Sequence, residues 1–306
     1  MAPPVRSHCA MSELPDTLLV QELGARGRGL VAARAITRGQ LILRDEAAVT
    51  VRMRSAGGGA EMEAVSEEIQ RQVDALSSED QEQFYKLTRR YNNHHHNLTE
   101  AYYIFLNNNI KGQSRDKCLY LHMSLINHSC IGNSDWRAAD LCSNVLELYA
   151  NRDIEAGEEV TTSYLDTEHV LLPVAERQRK LLSWGFLCTC SVCQRGDLKQ
   201  KEDLVIEAKI RRLMDQKTTI FTKHGMQGWD DDELASKGPE VIKKFDSEDI
   251  STLARIQEEI LNNLQKLDSA AGPSPQLETK PEKDLHSGLR GHNRSLFKIL
   301  DILKMF

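Results

Sequence analysis

Nowhere does the chain hold an apolar run approaching the roughly 18–20 residues that a membrane-crossing helix needs. Met1–Asp16 also lacks the basic-then-apolar pattern of a secretory signal. Both absences lead us to expect a protein of the cytoplasm or nucleus with no membrane contact. A basic excess is missing too: 39 lysines and arginines face 45 aspartates and glutamates, for a formal net charge of −6. Binding duplex phosphates requires a basic stripe, so no direct nucleic-acid binding is expected, whereas a basic protein partner suits the charge. Proline (8) and glycine (18) are too scarce for a collagen-like chain, and 40% hydrophobic content excludes wholesale disorder. In a reducing compartment the 7 cysteines do not form a disulfide framework.

What is present reads as an α+β protein. At 306 residues the chain exceeds what one core usually serves, which implies two domains or one with a large appendage. Leu18–Leu23, Leu30–Arg34 and Leu41–Arg54 read as strands separated by a Gly24–Gly29 loop and a turn at Gly39. After Gly57–Gly59, the positions Met62, Val65, Ile69, Val73 and Leu76 fit one face of a helix. Ser78 and Gln81 are spaced as a capping box for a second helix carrying Phe84, Tyr85 and Leu87. His94–His96 reads as a polar loop, and the Asn97-Leu98-Thr99 sequon as accidental, without a secretory signal. Thr99–Asn107 is helix-like, and strand character returns at Asn144–Asp153 and Glu159–Tyr164. Two similar turn signals, Ile36-x-x-Gly39-Gln40 and Ile154-x-x-Gly157-Glu158, each enter an apolar strand and are too short to count as a repeat. Beyond Gly196 the periodicity is helical, through Leu204, Ile206, Ile210 and Leu213, then Ile250, Leu253, Ile256, Ile260, Leu264 and Leu267, and finally Leu296–Phe306. Asp268–Gly291 reads as a linker.

The strongest chemical signal is Cys188-Thr189-Cys190-Ser191-Val192-Cys193. A tetrahedral thiolate site needs four ligands, so these three require a fourth from elsewhere. Cys130 is the best candidate, since it follows the polar Asn127-His128-Ser129. Cys9 is near the terminus, and Cys118 and Cys142 have no ligand-like neighbours.

Four ordered elements resemble the SET-domain protein lysine methyltransferases, and within them the SMYD-like branch. They are Gly27-Arg28-Gly29-Leu30 with Gly39 following, Leu125-Ile126-Asn127-His128-Ser129-Cys130, Asp153-x-x-x-Gly157-Glu158-Glu159-Val160-x-x-x-Tyr164, and Gly185-Phe186-x-Cys188-x-Cys190-x-x-Cys193. The resemblance covers about residues 18–195 and implies a β-rich SET fold with a knot-like cofactor site. It divides the chain into an N-terminal tail (1–17), a SET N-terminal part (18–54), a helical insertion (55–105), a SET core (106–166), a post-SET zinc segment (167–196) and a helical C-terminal region (197–306). Two departures stand out. The family continues Asn-His-Ser-Cys with x-Pro-Asn, whereas here Ile131-Gly132-Asn133 follows. Residues 55–105 contain no cysteine, so the zinc-binding MYND insertion of SMYD proteins is absent from them.

The resemblance implies S-adenosylmethionine as co-substrate, structural zinc, and a lysine-bearing protein as substrate, a histone tail among the candidates. It assigns Tyr164 to the methyl-transfer site. Arg26, Gly27, Arg28, Asn108, Asn127, His128, Tyr164 and Phe186 would contact the cofactor, Trp184 and Phe186 would line the lysine channel, and Cys130, Cys188, Cys190 and Cys193 would bind zinc. A catalytically weak SET protein serving as a zinc-stabilised interaction or regulatory module is the competing reading, on the grounds of Gly132 in place of proline and the shortened architecture. A zinc-ribbon-like nucleic-acid binder is a third, disfavoured by the acidic charge.

Overall fold

The structure is a computed structural model that describes residues 14–52, 59–89, 97–111, 116–139, 144–196, 201–227, 240–241 and 243–269. Cys9, Cys142, His94–His96, Gly57, Gly58, the linker beyond Ser269 and Leu296–Phe306 lie outside the described residues.

The strands run β1 (Leu18–Glu22), β2 (Arg28–Ala32), β3 (Leu41–Glu46) and β4 (Val49–Arg52). Three helices follow: α1 (Gly59–Asp74), α2 (Ser78–Tyr85) and α3 (Glu100–Asn108). Then come β5 (Ile110–Lys111), β6 (Asp116–Leu119), β7 (Asn127–His128), β8 (Ser134–Ala138), β9 (Val145–Ala150) and β10 (Glu159–Thr162). The apolar run from Leu41 divides at Ala47-Ala48, so that β3 joins the sheet β3-β9-β8 and β4 joins β4-β6-β5. The third sheet has the order β1-β2-β10-β7, and in it β7 lies parallel to β10, with Asn127 beside Thr161 and His128 beside Thr162.

The two turn signals meet in space. Ile36 and Ile154 exchange backbone hydrogen bonds of 2.8 and 2.9 Å. Gly39 N–H donates to Ala150 O and Gly157 N–H to Ala32 O, each at 2.8 Å. Ala32 N–H donates to Glu158 O (2.9 Å) and Ala150 N–H to Gln40 O (3.0 Å). The short motif thus forms two halves of a local pseudo-two-fold pairing, and both turns need glycine because φ is +83° at Gly39 and +84° at Gly157.

The insertion helices pack on this core through Ile69, Val73 and Phe84, all fully buried, and through α3, whose Ala101–Phe105 run is buried. Thr99 caps α3 by accepting from Tyr102 N–H, and Ser77, one residue before the expected Ser78, caps α2 by accepting from Asp80 N–H. A buried carboxylate, Asp45 on β3, accepts from the N–H groups of His122 and Met123 at 2.9 and 2.8 Å. It thereby seats the 3-10 turn Met123–Leu125 that leads into β7.

After β10 the chain forms α4 (Thr167–Val170), α5 (Val174–Leu181), α6 (Ser191–Arg195), α7 (Lys201–Lys223) and α8 (Ser247–Ser269). A second hydrophobic cluster joins Cys130, Leu165, Leu181 and Val192 to Ile210 on α7 and to Ile256 and Ile260 on α8. Leu204, expected on the packed face of α7, is instead 49% exposed; the buried stripe starts deeper, with Ile210 and Leu213. Helix α8 is also bonded across: Gln265 to Asn151 O (2.6 Å), Asp268 to Ser191 (2.5 Å) and Glu258 to Arg38 (2.7 Å). The helical region is therefore packed on both the β-core and the cysteine segment. Among the described residues no helix is long and apolar enough to cross a membrane.

Candidate active site and cysteine cluster

The site forms where the segment 127–134 meets β10. On one side β10 pairs with β2, and on the other with β7. The loop after β7 then rests directly on β10: a Cβ built on Gly132 would lie 2.7 Å from Thr161 O and Thr162 Cα. Asn133, 1% exposed, accepts from Thr161 N–H (2.8 Å) and donates to Glu159 O (2.8 Å), so its amide substitutes for a neighbouring strand. Gly132 and Asn133 together hold the crossing closed.

Around this crossing stand most of the residues expected from the sequence. Asn127 Nδ2 donates to Arg28 O (3.1 Å) and to Glu159 Oε1 (2.9 Å). The Arg26 guanidinium donates to His128 O (3.1 Å) and pairs with Glu159 Oε2 (2.8 Å). Glu159 is thus the joint between the Gly-rich loop and the knot, a part the sequence reading did not assign. Burial raises its carboxyl above the ordinary range, while Arg26 and Asn127 pull it back.

Tyr164 closes the site from the other side. Its hydroxyl donates to Ile126 O at 2.7 Å, and its N–H donates to His128 Nδ1 at 2.9 Å. Because Nδ1 accepts, the proton of the neutral imidazole sits on Nε2, which lies 3.5 Å from Cys130 Sγ. The Tyr164 ring is 5.6 Å from that of Trp184 and 6.1 Å from that of Phe186, and His128 is 5.2 Å from Tyr164 and 5.8 Å from Phe186. These four rings make a π-rich enclosure beside the knot.

Two expected residues stand differently. The Arg28 side chain donates to Lys86 O at the end of α2, leaving its carbonyl for Asn127. The Asn108 amide donates to Ile104 O (2.7 Å) and Thr88 O (2.9 Å), which fastens the end of α3 to the residues after α2.

Cys130, Cys188, Cys190 and Cys193 are buried, and their sulfurs all lie within 4.8 Å of one another. Cys130 Sγ is 3.9 Å from Cys188 Sγ and 3.4 Å from Cys193 Sγ. A tetrahedron with metal–sulfur bonds of about 2.3 Å has edges of about 3.8 Å, so the donor set fits a thiophilic metal ion. Hydrogen bonding among the sulfurs and burial push the Cys130 thiol far above its usual range, a proton that metal binding would displace. Arg177 on α5, 1% exposed, also reaches this cluster, with a guanidinium nitrogen 3.6 Å from Cys193 Sγ. Nothing in the charged run Glu176–Lys180 marked it in advance.

Residues 27–165 of the chain match the SET domain family. Its similarity runs to lysine methyltransferases of the SET5 and SMYD types. It is 35% identical over 127 residues to the histone-lysine N-methyltransferase SET5 of Scheffersomyces stipitis, covering 41% of this chain and 24% of that protein. It is 31% identical over 153 residues to the histone-lysine N-methyltransferase set5 of Schizosaccharomyces pombe, covering 49% and 42%. With the histone-lysine N-methyltransferase SMYD3 of Mus musculus it shares 44% over 86 residues, covering 26% and 17%. The matches span less than half the length of each of these relatives.

Proposed function

We propose that the chain transfers a methyl group from S-adenosylmethionine to the side-chain amine of lysine in a protein, a histone tail among the candidate substrates, in the nucleus or cytoplasm. The observation that carries this reading is the joining of Tyr164, His128 and Asn127 on one knot, enclosed by the rings of Trp184 and Phe186. The printed names of the SET5 and SMYD3 relatives support it.

When bound, S-adenosylmethionine supplies an activated methyl on a sulfonium. The attacking lysine must be neutral, yet a free lysine of pKa about 10.4 is deprotonated in only about one molecule per thousand near pH 7.4. Removing water from the ammonium in the enclosure of Tyr164, Trp184 and Phe186 favours the neutral amine. The Ile126 carbonyl and the Tyr164 oxygen, 2.7 Å apart, present polar atoms against which the amine is oriented. Arg26, held by Glu159 and His128 O, keeps a cation at the Gly-rich loop, where the cofactor's carboxylate would be received. Gly27 at that loop and the Asn127–His128 backbone complete the cofactor-binding set, and Asn108 would act from the end of α3.

In the same reading the metal is zinc, held by Cys130, Cys188, Cys190 and Cys193 as a structural clip. Three ligands lie on the segment that carries Trp184 and Phe186 and the fourth lies just after His128, so the ion would fasten the aromatic wall to the knot. Gly132, one of the two grounds for a catalytically weak module, has a packing reason of its own. The test is incubation of the purified zinc-loaded chain with methyl-labelled S-adenosylmethionine and mixed histones. Label on lysine that is lost in Tyr164→Phe supports the reading; no label and no cofactor binding by the folded chain overturns it.

A further inference from the structure

Arg177 is among the largest fully buried side chains of the protein. One guanidinium nitrogen donates to Val170 O (3.2 Å) and Leu172 O (2.5 Å), and the other lies 3.6 Å from Cys193 Sγ. Its Nε is buried with no hydrogen-bond partner. Among the described residues no carboxylate pairs with it; Glu176, its neighbour on α5, faces Arg179 instead. A cation sealed from water without an anion is costly, and buried arginines are ordinarily matched by one. The nearby groups able to carry negative charge are the cysteine sulfurs. Four neutral thiols would leave the guanidinium unmatched. A divalent ion held by four thiolates leaves a net charge of about −2, which the guanidinium halves.

We propose that Arg177 is the counter-charge of the metal–thiolate cluster, and that through Val170 O and Leu172 O it latches the cluster to the end of α4 and the turn that follows it. This rests on the metal reading of the four cysteines. It goes further by assigning to an α5 residue, outside the ligand set, a share of the metal affinity. Polar partners around a metal ion commonly alter affinity by about 10–100-fold when removed. His128 Nε2, 3.5 Å from Cys130 Sγ, is a second donor to the same cluster, so the sulfurs are contacted from both the knot and α5.

The test uses the full chain and two variants, Arg177→Met and Arg177→Lys. Zinc affinity is measured by competition with a chromogenic chelator, and the sulfur-to-metal charge-transfer band is recorded after loading with cobalt(II). Arg177→Met is expected to weaken zinc binding about 10–100-fold and to move the band, because a positive donor has left the sulfur. Arg177→Lys is expected to restore part of the affinity. A variant that only loosened the fold would lower occupancy without moving the band. Zinc affinity within about twofold of the parent and an unmoved band in Arg177→Met would overturn the proposal. If Arg177→Met does not fold with zinc present, the band in Arg177→Lys decides: a shift supports the proposal, and no shift overturns it. A parent chain that takes up neither metal refutes the metal reading itself, a result distinct from a metal-binding parent with an indifferent Arg177.

Discussion

Gly132→Ala tests the knot with a single methyl group. The added Cβ would sit 2.7 Å from Thr161 O and Thr162 Cα and 2.9 Å from Thr162 C, all backbone atoms of or beside β10. Ordinary carbon contacts begin near 3.5 Å, so the loop or the strand must give by about 0.8 Å. Overpacking of this kind costs about 1–3 kcal/mol. Alanine also narrows the unfolded ensemble, which offsets roughly 0.4–1 kcal/mol. At the middle of both ranges the net loss is about 1.3 kcal/mol, or a fall in Tm of about 3–5 °C for a chain of this size. Gly132→Pro, the residue usual in the family motif, brings a Cβ to the same place and should lose at least as much. Thermal and urea unfolding of the zinc-loaded protein read the effect. Thr161 and Thr162 pair with Asn127 and His128, so S-adenosylmethionine binding measured on the same samples should weaken too. An alanine variant as stable as the parent, or more stable, would refute the close packing and restore weight to the catalytically weak reading.

Tyr164→Phe, which removes only the hydroxyl bonded to Ile126 O, should keep the fold and cofactor binding while lowering methyl transfer by about 10²-fold or more, read in a labelled-methyl assay. Asp45→Ala strands the N–H groups of His122 and Met123 in the core and should cost about 2–6 kcal/mol in urea unfolding. For Glu158, burial acts against ionisation, but Arg152, Glu155 N–H and Asn133 hold its carboxyl below the ordinary 4.5. A lowered carboxyl contributes stability above its unfolded pKa that is lost as pH falls through the folded one. The stability gap between parent and Glu158→Gln should therefore be full above about pH 4.5 and narrow below it. An unchanged gap at acid pH would contradict this.

Much of the site was legible because its chemistry is carried by residue types in short, ordered strings. Asn127-His128-Ser129-Cys130 and the Cys188–Cys193 cluster lie far apart in sequence, yet the sulfurs converge. The turn pair at Gly39 and Gly157 was visible as similarity but not as contact, because a pairing between Ile36 and Ile154 leaves no local mark. Periodicity could not divide Leu41–Arg54, since both parts are apolar and only the different sheet partners of β3 and β4 separate them. Ser77 and Ser78 are equally able caps, and the choice follows from where the chain enters α2. Asp45, Glu159 and Arg177 stayed hidden for one reason. Each is a charged residue whose role comes from partners outside its own short string: backbone N–H groups for Asp45, the Arg26 and Asn127 side chains for Glu159, and backbone carbonyls and sulfur for Arg177.

The most direct measurement is mass-spectrometric mapping of labelled methyl groups after the zinc-loaded chain and methyl-labelled S-adenosylmethionine are incubated with a whole-cell lysate. Label is expected on lysine side chains of one or a few proteins, present with the parent and lost with Tyr164→Phe. Label absent from lysine, with a folded chain that retains metal and binds the cofactor, would contradict the proposed function.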